Sequence, residues 1–578
     1  MKRTYIYSFL IGGRNSLSAI LLAAALLAGC SKALDLEPLD SFSEKSIFSD
    51  AATLNLFVNG TYRYLRQPFS ADDGLTEGMT DNAYARYVGG QLAYTAGEIV
   101  RDNGEGMTRG LWNNAFTAIR RTNSFLEQAA TSKIDASILT SLGAEMRFIR
   151  AFEYFDLMKF YGGVPIITNT FQLDAKTFDV SRNSIEEVTA FIVKECDEII
   201  TVLPGFASAP KGKATKEAAM ALKARTLLYA ASALFNPSND QNKWIAARDA
   251  NKAVMNLPGF NMISNGSDAD YYNTFNGKNQ TEIIFARYFT PANSQSENTA
   301  GEGANFWLYP NSMNAWSGVA PTQDIVDSYE MMNGKLPLEA GSGYDPQNPY
   351  VNRDPRFYAN FMFNGAIFYD PHTTKMTRAL QYYRDKNNPS NPALNGHESR
   401  GAAFYADGAS PTSYNFKKYT VEGLESRSIG SVTQVNPWIY FRKTEFYLNY
   451  AECEIALGNE GPARIAINAV RSKIAGLIPV TESGDALLVR YRRERRVELV
   501  LEDHRLHDIR RWKTGPEALN KPVMGVDIYK NGSVMEYNYN FVVDQNRRWV
   551  DKMYWAPIPY SEIQRSHNKL TQNPGYQP

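Results

Sequence analysis

The stretch that decides the fold is VRYRRERRVELVLEDHRLHDIRRW, from Val489 to Trp512. It holds eight arginines and two histidines, so a nucleic-acid-binding patch and a metal site are the first interpretations to weigh. The whole chain carries 61 basic and 61 acidic residues, a formal net charge of zero. Binding to phosphate backbones requires a basic excess over a surface. The overall charge therefore argues against nucleic acid as a partner.

Acidic residues in the same stretch stand three or four positions from arginines, which is the spacing of neighbours on one face of an α-helix. The predicted pairs are Arg490–Glu494, Arg495–Glu498 and Glu502–Arg505. Exposed pairs of this kind each stabilise a helix by about 0.2–0.5 kcal/mol. Val497, Val500 and Leu501 supply an apolar stripe. We therefore interpret the stretch as a salt-bridged scaffold helix within residues 483–513, with Trp512 packed at its end.

The two histidines of the stretch, His504 and His507, have Asp503 and Asp508 beside them. A zinc site needs a further converging ligand, and the whole chain has five histidines. We expect these histidines to be packed or capped within a helix, and we predict neither a metal nor a cofactor. An oxygen-only calcium site in the loop-rich part, for example near SDADYYN at residues 267–273, is an open alternative.

The first thirty residues decide the compartment. Three basic residues precede an apolar run over 17–29, which is too short to span a bilayer but typical of a signal peptide. The run ends in LAGC, which resembles a bacterial lipobox and implies cleavage before Cys30 and lipid on that cysteine. Residues 1–29 are therefore a predicted lipoprotein signal peptide, and residues 30–50 a lipidated tether.

The predicted mature chain has lost three basic residues and no acidic ones, which leaves a formal charge of −3. No other segment of about twenty apolar residues occurs, so we expect a protein that is anchored to a membrane rather than spanning it. Two cysteines remain, Cys196 and Cys453, each in a helix-like segment. We expect two buried thiols, with a bridge between them as the alternative.

Helical periodicity is strong in two parts of the chain and weak elsewhere. The predicted helices cover residues 50–64, 107–130, 138–161, 183–203, 214–235, 244–255, 440–457, 460–475 and 483–513. The part between them is rich in Asn, Gly, Pro, Ser and aromatic residues. Within it we predict a strand over 282–289 and a helix that starts at Pro321.

These patterns divide the chain into four parts. We predict an N-terminal helical part with two helix pairs and a ligand-side loop (51–257), a loop-rich subdomain (258–436), C-terminal helix pairs (437–513) and a loop-rich C-terminal segment (514–578). Helix pairs joined by short loops favour a mostly α fold, with a tetratricopeptide-like helical-repeat scaffold and a large irregular subdomain. We expect residues 51–578 to form one compact unit.

The sequence has no phosphate-binding glycine loop, HExxH helix or nucleophile elbow. Paired carboxylates for glycoside hydrolysis remain an alternative, because any two acids can converge in space. The acids that can be placed lie mainly on helix faces, where solvated or salt-bridged roles are the usual ones. Chemistry at a catalytic centre therefore has no positive support in the sequence.

Carbohydrate binding has better support, because sugar C–H faces stack on aromatic rings and sugar hydroxyls bond to polar groups at the ring edges. Three stretches combine such residues: TDNAYARYVGG (80–90), DADYYNTF (268–275) and NFWLYPNSMNAW (305–316). The predicted ligand-binding residues are Asp81, Asn82, Tyr84, Arg86, Tyr87, Tyr271, Trp307, Tyr309, Asn314 and Trp316, with Tyr272 and Asn305 beside them. Trp316 and Tyr84 are favoured. The competing interpretation for each ring is burial under a loop.

Six stretches, in order along the chain, resemble one protein family. They are RFIRAFEYFDLMKFYGGVPII (147–167), PTQDIVDSYEM (321–331), NRDPRF (352–357), RKTEFYLNYAECEIALG (442–458), RRERRVELVLEDHRLHDIRRW (492–512) and YWAPIPYSEIQRSHNKLTQNPGY (554–576). Together with the lipobox they resemble the SusD/RagB family of surface lipoproteins of the Bacteroidetes. Each motif is moderately specific, and six in order cover essentially the whole chain.

The resemblance implies four tetratricopeptide-like helix pairs that support an irregular subdomain. It also implies a protein on the outer face of the outer membrane that caps a SusC-like TonB-dependent transporter as a hinged lid, binds a glycan or another nutrient oligomer, and is not an enzyme. In the family, ligand-contacting aromatic residues lie in the stretches that match TDNAYARYVGG and the region near residue 310. The residues after Cys30, SKALDLE, depart from the dense acidic cluster that often marks surface export. A surface glycoside hydrolase, or a structural partner of the transporter without its own ligand, are the alternatives.

Overall fold

The computed structural model describes residues 47–48, 50–66, 75–87, 89–100, 107–172, 175–263, 266–290, 303–425 and 434–576. The predicted signal peptide, Cys30 and most of the predicted tether lie outside these residues. Within the described part, no helix is both long and apolar enough to cross a membrane.

The described residues form seventeen α-helices and eleven strands. The helices are α1 (Ala51–Tyr62), α2 (Gly89–Thr95), α3 (Met107–Ala129), α4 (Ala136–Tyr161), α5 (Ile185–Ile200), α6 (Lys216–Ala231), α7 (Gln241–Met255), α8 (Asp268–Phe275), α9 (Ala304–Leu308), α10 (Gln323–Asp327), α11 (Pro355–Asn360), α12 (Lys443–Ala456), α13 (Glu460–Arg471), α14 (Gly484–Glu498), α15 (Arg505–Arg511), α16 (Gly515–Leu519) and α17 (Tyr560–Arg565). The strands are β1 (Ala83–Ala85), β2 (Ile283–Arg287), β3 (Val319–Pro321), β4 (Phe361–Met362), β5 (Ile367–Asp370), β6 (Met376–Ala379), β7 (Arg384–Asp385), β8 (Asn415–Phe416), β9 (Trp438–Arg442), β10 (Val523–Asn531) and β11 (Val534–Asp544).

The long helices pack in chain order into one continuous stack. Helix α3 packs on α4, α4 on α5, α5 on α6 and α6 on α7. Helix α7 then packs on α12, which packs on α13. The chain between α7 and α12 is thus an insertion that leaves the stack and returns to it. The predicted mostly α, helical-repeat scaffold with a large irregular subdomain is confirmed.

Capping chemistry sets the helix ends in this stack. Helix α5 begins after Ser184, whose hydroxyl accepts from the N–H of Glu187 while the Glu187 carboxylate accepts from the N–H of Ser184. Helix α4 ends at Gly162, where φ is 77°, as the Gly162–Gly163 pair predicts. The ring of Trp555 lies 3.4 Å from the position a Cβ would take at Gly162, so the C-terminal segment seals this helix end.

Helix α4 lies at the centre of the core. Every residue from 148 to 161 is buried, which explains the dense run of aromatic residues in its sequence. The ring of Phe152 lies 6.3 Å from Phe285 of β2 and 5.2 Å from Tyr440 of β9. Because β2 and β9 pair antiparallel, the chain leaves and re-enters the helical stack at one place, directly on α4.

The strands form five small sheets within the described residues. The longest pairing is the antiparallel hairpin of β10 and β11, with β7 parallel to β10. The prediction that residues 514–578 are loop-rich is therefore wrong for 523–544. Register irregularities near Met524 and Gly525 interrupt the alternation of inward and outward residues, which removes the period of two that a strand prediction needs.

The predicted start of a helix at Pro321 is also wrong. Pro321 ends β3, and Thr322 caps α10 by accepting a hydrogen bond from the N–H of Ile325. The two free cysteines, Cys196 and Cys453, are both buried, which confirms the expectation of two buried thiols.

The predicted continuous helix over 483–513 is wrong, because the chain turns between α14 and α15. Leu501 and Asp503 in this turn have φ of 62° each, a left-handed conformation that an α-helix does not contain. The turn lets two consecutive acids face different partners: Glu502 pairs with Lys418 and Arg442, and Asp503 with Arg66 and Lys159. Val497, Val500 and Leu501 are buried as predicted.

A central ion-pair network joins α14 and this turn to the insertion and to α13. Its basic members are Arg356, Lys418, Arg442 and Arg471, and its acidic members are Glu282, Glu330, Asp354, Glu494, Glu498 and Glu502. Arg356 lies 2.6 Å from Glu494 and 2.8 Å from Glu498. Burial alone would raise the pKa of Glu494, but the nearby Arg356 and Arg471 outweigh it and lower that pKa to about 2.

The three predicted local pairs of the arginine run are wrong. The three arginines pair with other acids instead: Arg490 with Glu330, Arg495 with Asp508, and Arg505 with Asp81. The reason is burial, since side chains packed against other segments meet acids from those segments rather than acids on their own helix. Trp512 is buried at the end of the stretch, as predicted.

Both histidines of the stretch are buried, and burial lowers the pKa of each well below its ordinary value. His507 packs edge-on against Phe160, with ring centres 4.8 Å apart. His504 lies 3.3 Å from a guanidinium nitrogen of Arg495. Among the residues that the structure describes, no group of three or more His, Cys, Asp or Glu side chains has the geometry to hold a metal ion.

We predict that Glu498→Ala destabilises the protein strongly. The substitution removes the carboxylate that pairs with both Arg356 and Arg442, and loss of one partner from a buried pair costs about 3–5 kcal/mol. Urea unfolding followed by circular dichroism measures the change. The control is Glu536→Ala at the surface pair with Lys386, which we expect to change stability little. Equal effects of the two substitutions would contradict the prediction.

We predict that Glu77 makes the stability of the protein fall as pH rises. Burial raises the pKa of Glu77 from 4.5 to about 7, so ionisation is resisted in the folded state and free in the unfolded state. The free energy of unfolding therefore falls by about 3 kcal/mol as the pH rises from the lower to the higher of these two pKa values. Glu77→Gln keeps the acceptor for Asn82 and removes the ionisation. It should be close to neutral near about pH 5 and stabilising near about pH 8. A pH-independent difference in urea unfolding would count against this role.

Candidate functional site

Strand pairing brings two distant stretches of sequence together. Strands β1 and β3 pair antiparallel, with Tyr84 opposite Ala320. The pairing continues one step further, since the N–H of Arg86 donates to the carbonyl of Gly318 at 2.9 Å. The segment that follows β1 therefore lies beside the segment that precedes β3. This places Tyr87 next to Trp316.

An aromatic platform, which we define as Tyr87, Trp316, Phe404 and Tyr405, occupies this surface. The rings of Tyr87 and Trp316 lie 5.2 Å apart at 59°. Tyr87 is 41% exposed, Phe404 and Tyr405 are 39% exposed each, and Trp316 is half-buried. The hydroxyl of Tyr87 donates to the carbonyl of Asp407, which ties the third segment to the other two. The platform thus presents several partly exposed rings from three separate parts of the chain.

Two glycines let aromatic rings lie directly on the backbone of this site. A Cβ at Gly408 would stand 2.5 Å from the ring of Tyr405, and one at Gly318 would stand 2.5 Å from the ring of Trp307. Tyr405 itself has φ of 48°, a left-handed conformation that is rare for a bulky residue and is often found at functional sites. Trp307 in turn supports Trp316, with ring centres 6.4 Å apart at 88°.

Polar groups border the platform. The guanidinium carbon of Arg86 lies 5.1 Å from the centre of the Tyr87 ring, and a guanidinium nitrogen donates to the carbonyl of Ala409 at 2.9 Å. His372 lies 5.4 Å from Phe404. Burial, together with Tyr405 and Asp407, raises the pKa of Tyr87, so its hydroxyl stays protonated and able to donate. Rings with hydrogen-bonding groups at their edges suit a sugar.

The structure brings together four of the predicted site residues and sets two others beside them. Arg86, Tyr87, Trp307 and Trp316 form one cluster. Asn314 ends a short 3₁₀ helix close to Trp316 in the chain, with φ of 57°. Tyr84 is partly buried and interacts with Asp544 and Arg547, so it faces the β10–β11 side.

Tyr271 and Tyr309 do not belong to this surface, and their prediction as stacking rings is wrong. Both are buried, and their hydroxyls donate to the backbone carbonyls of Glu498 and Val421 at 2.6 Å each. The neighbouring Tyr272 is buried in the same way. The stretch DADYYNTF is helix α8 rather than a loop. These rings serve as core with a hydrogen-bonded polar tip.

Asp81 and Asn82 lie behind the platform rather than on it. The carboxylate of Asp81 pairs with Arg505 at 2.8 Å and with Arg496 at 3.2 Å. These arginines outweigh the effect of burial and lower the pKa of Asp81. The side chain of Asn82 donates to Glu77 and accepts from Arg496. Both predicted binding residues therefore have a structural role, since their contacts with α14 and α15 position β1.

Sequence reasoning missed Phe404, Tyr405 and His372. They lie in irregular segments that carry no periodicity and no dense aromatic motif, so no local pattern marked them. The pair Phe404–Tyr405 in a loop, followed by Gly408, was the available signal.

Comparison with known proteins agrees with the fold. The model of the SusD family matches residues 281–576, and a model described as starch-binding associating with outer membrane matches residues 34–228. SusD-like protein P2 of Formosa agariphila is 26% identical over 576 residues, which covers 95% of this chain and 97% of that protein.

Two solved structures from Bacteroides fragilis have the same architecture. The crystal structure of a SusD-like protein superposes with a TM-score of 0.75 at 27% identity, covering 93% of this chain and 100% of that one. A SusD-like carbohydrate binding protein superposes with a TM-score of 0.72 at 24% identity, covering 90% of this chain and 99% of the other. With the family model matched over more than half of its length, this chain belongs to the SusD family.

Proposed function

We propose that the protein is a glycan-binding lipoprotein of the outer membrane. It captures an oligosaccharide on the aromatic platform and delivers it to a SusC-like TonB-dependent transporter, on which it acts as the lid. The observation that carries the proposal is the pair of rings Tyr87 and Trp316, which lie 5.2 Å apart and partly exposed, with the guanidinium of Arg86 beside them. The carbohydrate-binding relative with the same fold supports the class of ligand.

The platform suits a sugar oligomer better than a small apolar ligand. Its rings are tilted against one another rather than coplanar, so each can contact a different sugar unit. Hydrogen-bonding groups at the edges, such as Arg86, His372 and Asp407, reach the hydroxyls that a stacked sugar turns outwards. Because the rings are partly exposed, a ligand can make apolar contact with them without displacing side chains of the core.

We infer that the anchor is lipid on Cys30. The lipobox-like ending of the signal peptide supports this, as does the family description that names association with the outer membrane. Lipid at the N-terminus leaves the whole folded part free to move on its tether, which a lid requires.

We infer further that residues 51–578 act as one unit. Ion pairs join each predicted part to another: Lys159 pairs with Asp503, Arg356 with Glu494, and Arg384 with Asp527. A lid made of one unit moves as a rigid body about its contacts with the transporter.

We infer binding rather than hydrolysis, and two acids behind the platform are consistent with this. Asp81 and Asp324 both pair with Arg496, and this guanidinium contributes to lowering the pKa of each. A glycoside hydrolase needs one carboxyl group whose pKa is raised so that it can protonate the leaving oxygen. Release of reducing ends from a polysaccharide by the purified protein would instead identify a hydrolase. A protein that co-purifies with the transporter yet binds no oligomer would be a structural partner.

We predict that Trp316→Ala lowers the affinity for the glycan by about tenfold or more, because loss of a stacking ring removes about 1.5–3 kcal/mol of apolar contact. A glycan-array screen first identifies the ligand, and calorimetry then measures the affinity. The control is Phe206→Ala, at a ring that is 41% exposed and packs on Phe260, away from the platform. Unchanged affinity in Trp316→Ala and Tyr87→Ala would reject the platform as the site.

We predict that Gly408→Ala lowers glycan affinity more where Tyr405 is present than where it is absent. The added methyl group would stand 2.5 Å from the Tyr405 ring and would push it off the platform. In a Tyr405→Ala background the ring contact is gone and only the contact with the carbonyl oxygen of Ala315, at 2.8 Å, remains, so the same change should cost less. Calorimetry on the four proteins of this double-mutant cycle gives the coupling. Gly461→Ala, where no atom stands within 4 Å of the new Cβ, is the control. Additive losses would mean that Gly408 acts on another part of the site.

A further inference from the structure

A cavity of about 400 Å³ lies between α7, α12, α13 and α14. Trp244, Leu487 and Trp512 are buried at its floor, and Ile455 and Leu488 are partly buried beside them. Its rim is exposed and includes Gly458 and Gly484. The cavity shares no lining residue with the aromatic platform, and its volume lies in the range of small-molecule sites.

Arg492, one of the eight arginines between Val489 and Trp512, lines this cavity. The other seven arginines are engaged: Arg490 and Arg493 with Glu330, Arg495 and Arg511 with Asp508, Arg496 with Asp324, Arg505 with Asp81, and Arg510 with the carbonyls of Phe160 and Tyr554. Within the described residues, Arg492 has neither an ion pair nor a hydrogen bond. Its Nε is buried and has no acceptor there.

The guanidinium of Arg492 is held in place by an aromatic ring. Its carbon lies 5.0 Å from the centre of the Trp512 ring, and the indole N–H of Trp512 donates to Glu452. The ring is therefore fixed by a buried carboxylate and presents its face to the guanidinium. An arginine stacked in this way keeps its fork of N–H groups in a constant orientation.

The acids that line the cavity are occupied elsewhere or remain at its rim. Glu452 accepts from Arg511 and from the hydroxyl of Tyr491, in addition to Trp512. Glu460 accepts from Arg464 and from the N–H of Gly484. Asp485 is exposed at the rim. Among the residues described, the cavity thus offers an unpaired cation whose nearest carboxylates are already bonded.

We propose that this cavity is a second ligand site of the protein, which binds an oxyanion on Arg492. The fork of the guanidinium fits a carboxylate or a sulfate with two parallel hydrogen bonds. The apolar floor beside it favours an oxyanion carried by a sugar, whose C–H face would rest on Ile455 and Leu488. Free inorganic oxyanion has the same anionic chemistry without that contact. The site does not depend on the platform and would operate whether or not the platform binds glycan.

The test is calorimetry on the full mature chain with sodium glucuronate, sodium sulfate and glucose at constant ionic strength. We expect glucuronate to bind the unaltered protein and glucose not to bind this site. Arg492→Gln should weaken glucuronate binding by about tenfold or more, as loss of charge-assisted hydrogen bonds does. Glucuronate binding tighter than sulfate binding assigns the site to acidic sugars, and equal binding assigns it to free oxyanions.

Three further variants keep the result interpretable. Arg493→Gln, next in the chain and paired weakly with Glu330, should leave glucuronate affinity unchanged. Arg492→Lys keeps the charge but loses the fork, so it should retain part of the affinity. It serves as the test variant if Arg492→Gln folds poorly. Trp316→Ala alters only the platform, so it should leave unchanged the part of glucuronate binding that Arg492→Gln removes. No binding of either anion, equal binding by Arg492→Gln, or loss of binding in Trp316→Ala would each overturn the proposal.

Discussion

The fold depends on charges that are buried in the middle of the molecule. Arg356 and Arg442, two residues of the central ion-pair network, share the carboxylates of Glu494, Glu498 and Glu502 with almost no access to water. An ion pair of this kind adds little net stability over apolar packing, but an incomplete one is very costly. The network therefore acts mainly as a constraint. Its ion pairs are complete only when the insertion, the C-terminal helices and the turn after α14 have all reached their native positions.

Much of the scaffold could be predicted, because apolar residues recur in the sequence with the period of an α-helix. The end of α4 at Gly162 and the burial of Val497 and Val500 follow from local patterns alone. The ion pairs of the arginines between Val489 and Trp512 could not be predicted in this way. Residue spacing on a helix predicts pairs only where the side chains are exposed and have no partners from other segments. Glu498 finds its partners in Arg356 and Arg442, and nothing in the run itself marks those two residues. The turn at Leu501 and Asp503 has the same origin, since tertiary partners override the helical preference.

The candidate site was predictable only in part, for a different reason. Tyr87 and Tyr309 look alike in sequence, since a tyrosine on a polar background can be a stacking ring or a core residue with a bonded hydroxyl. Trp316 and Tyr87 are partly exposed, as a stacking ring has to be, whereas Tyr271 and Tyr309 are buried with bonded hydroxyls. The distinction depends on the pairing of β1 with β3, which no single stretch of sequence reveals. Tyr405 joins the platform through that same long-range geometry.

The separation of the network in sequence has a consequence for how the protein matures. Arg356 and Glu494 of the network are 138 positions apart, and Lys159 and Asp503, a pair outside it, are 344 apart. Charged groups made early in synthesis therefore wait for partners that emerge later in the chain. A chain made from its N-terminus therefore cannot complete its interior until nearly all of it is available. The same charges that hold the finished structure together thus leave a partly made chain with unpaired charges, which oppose premature burial of its core.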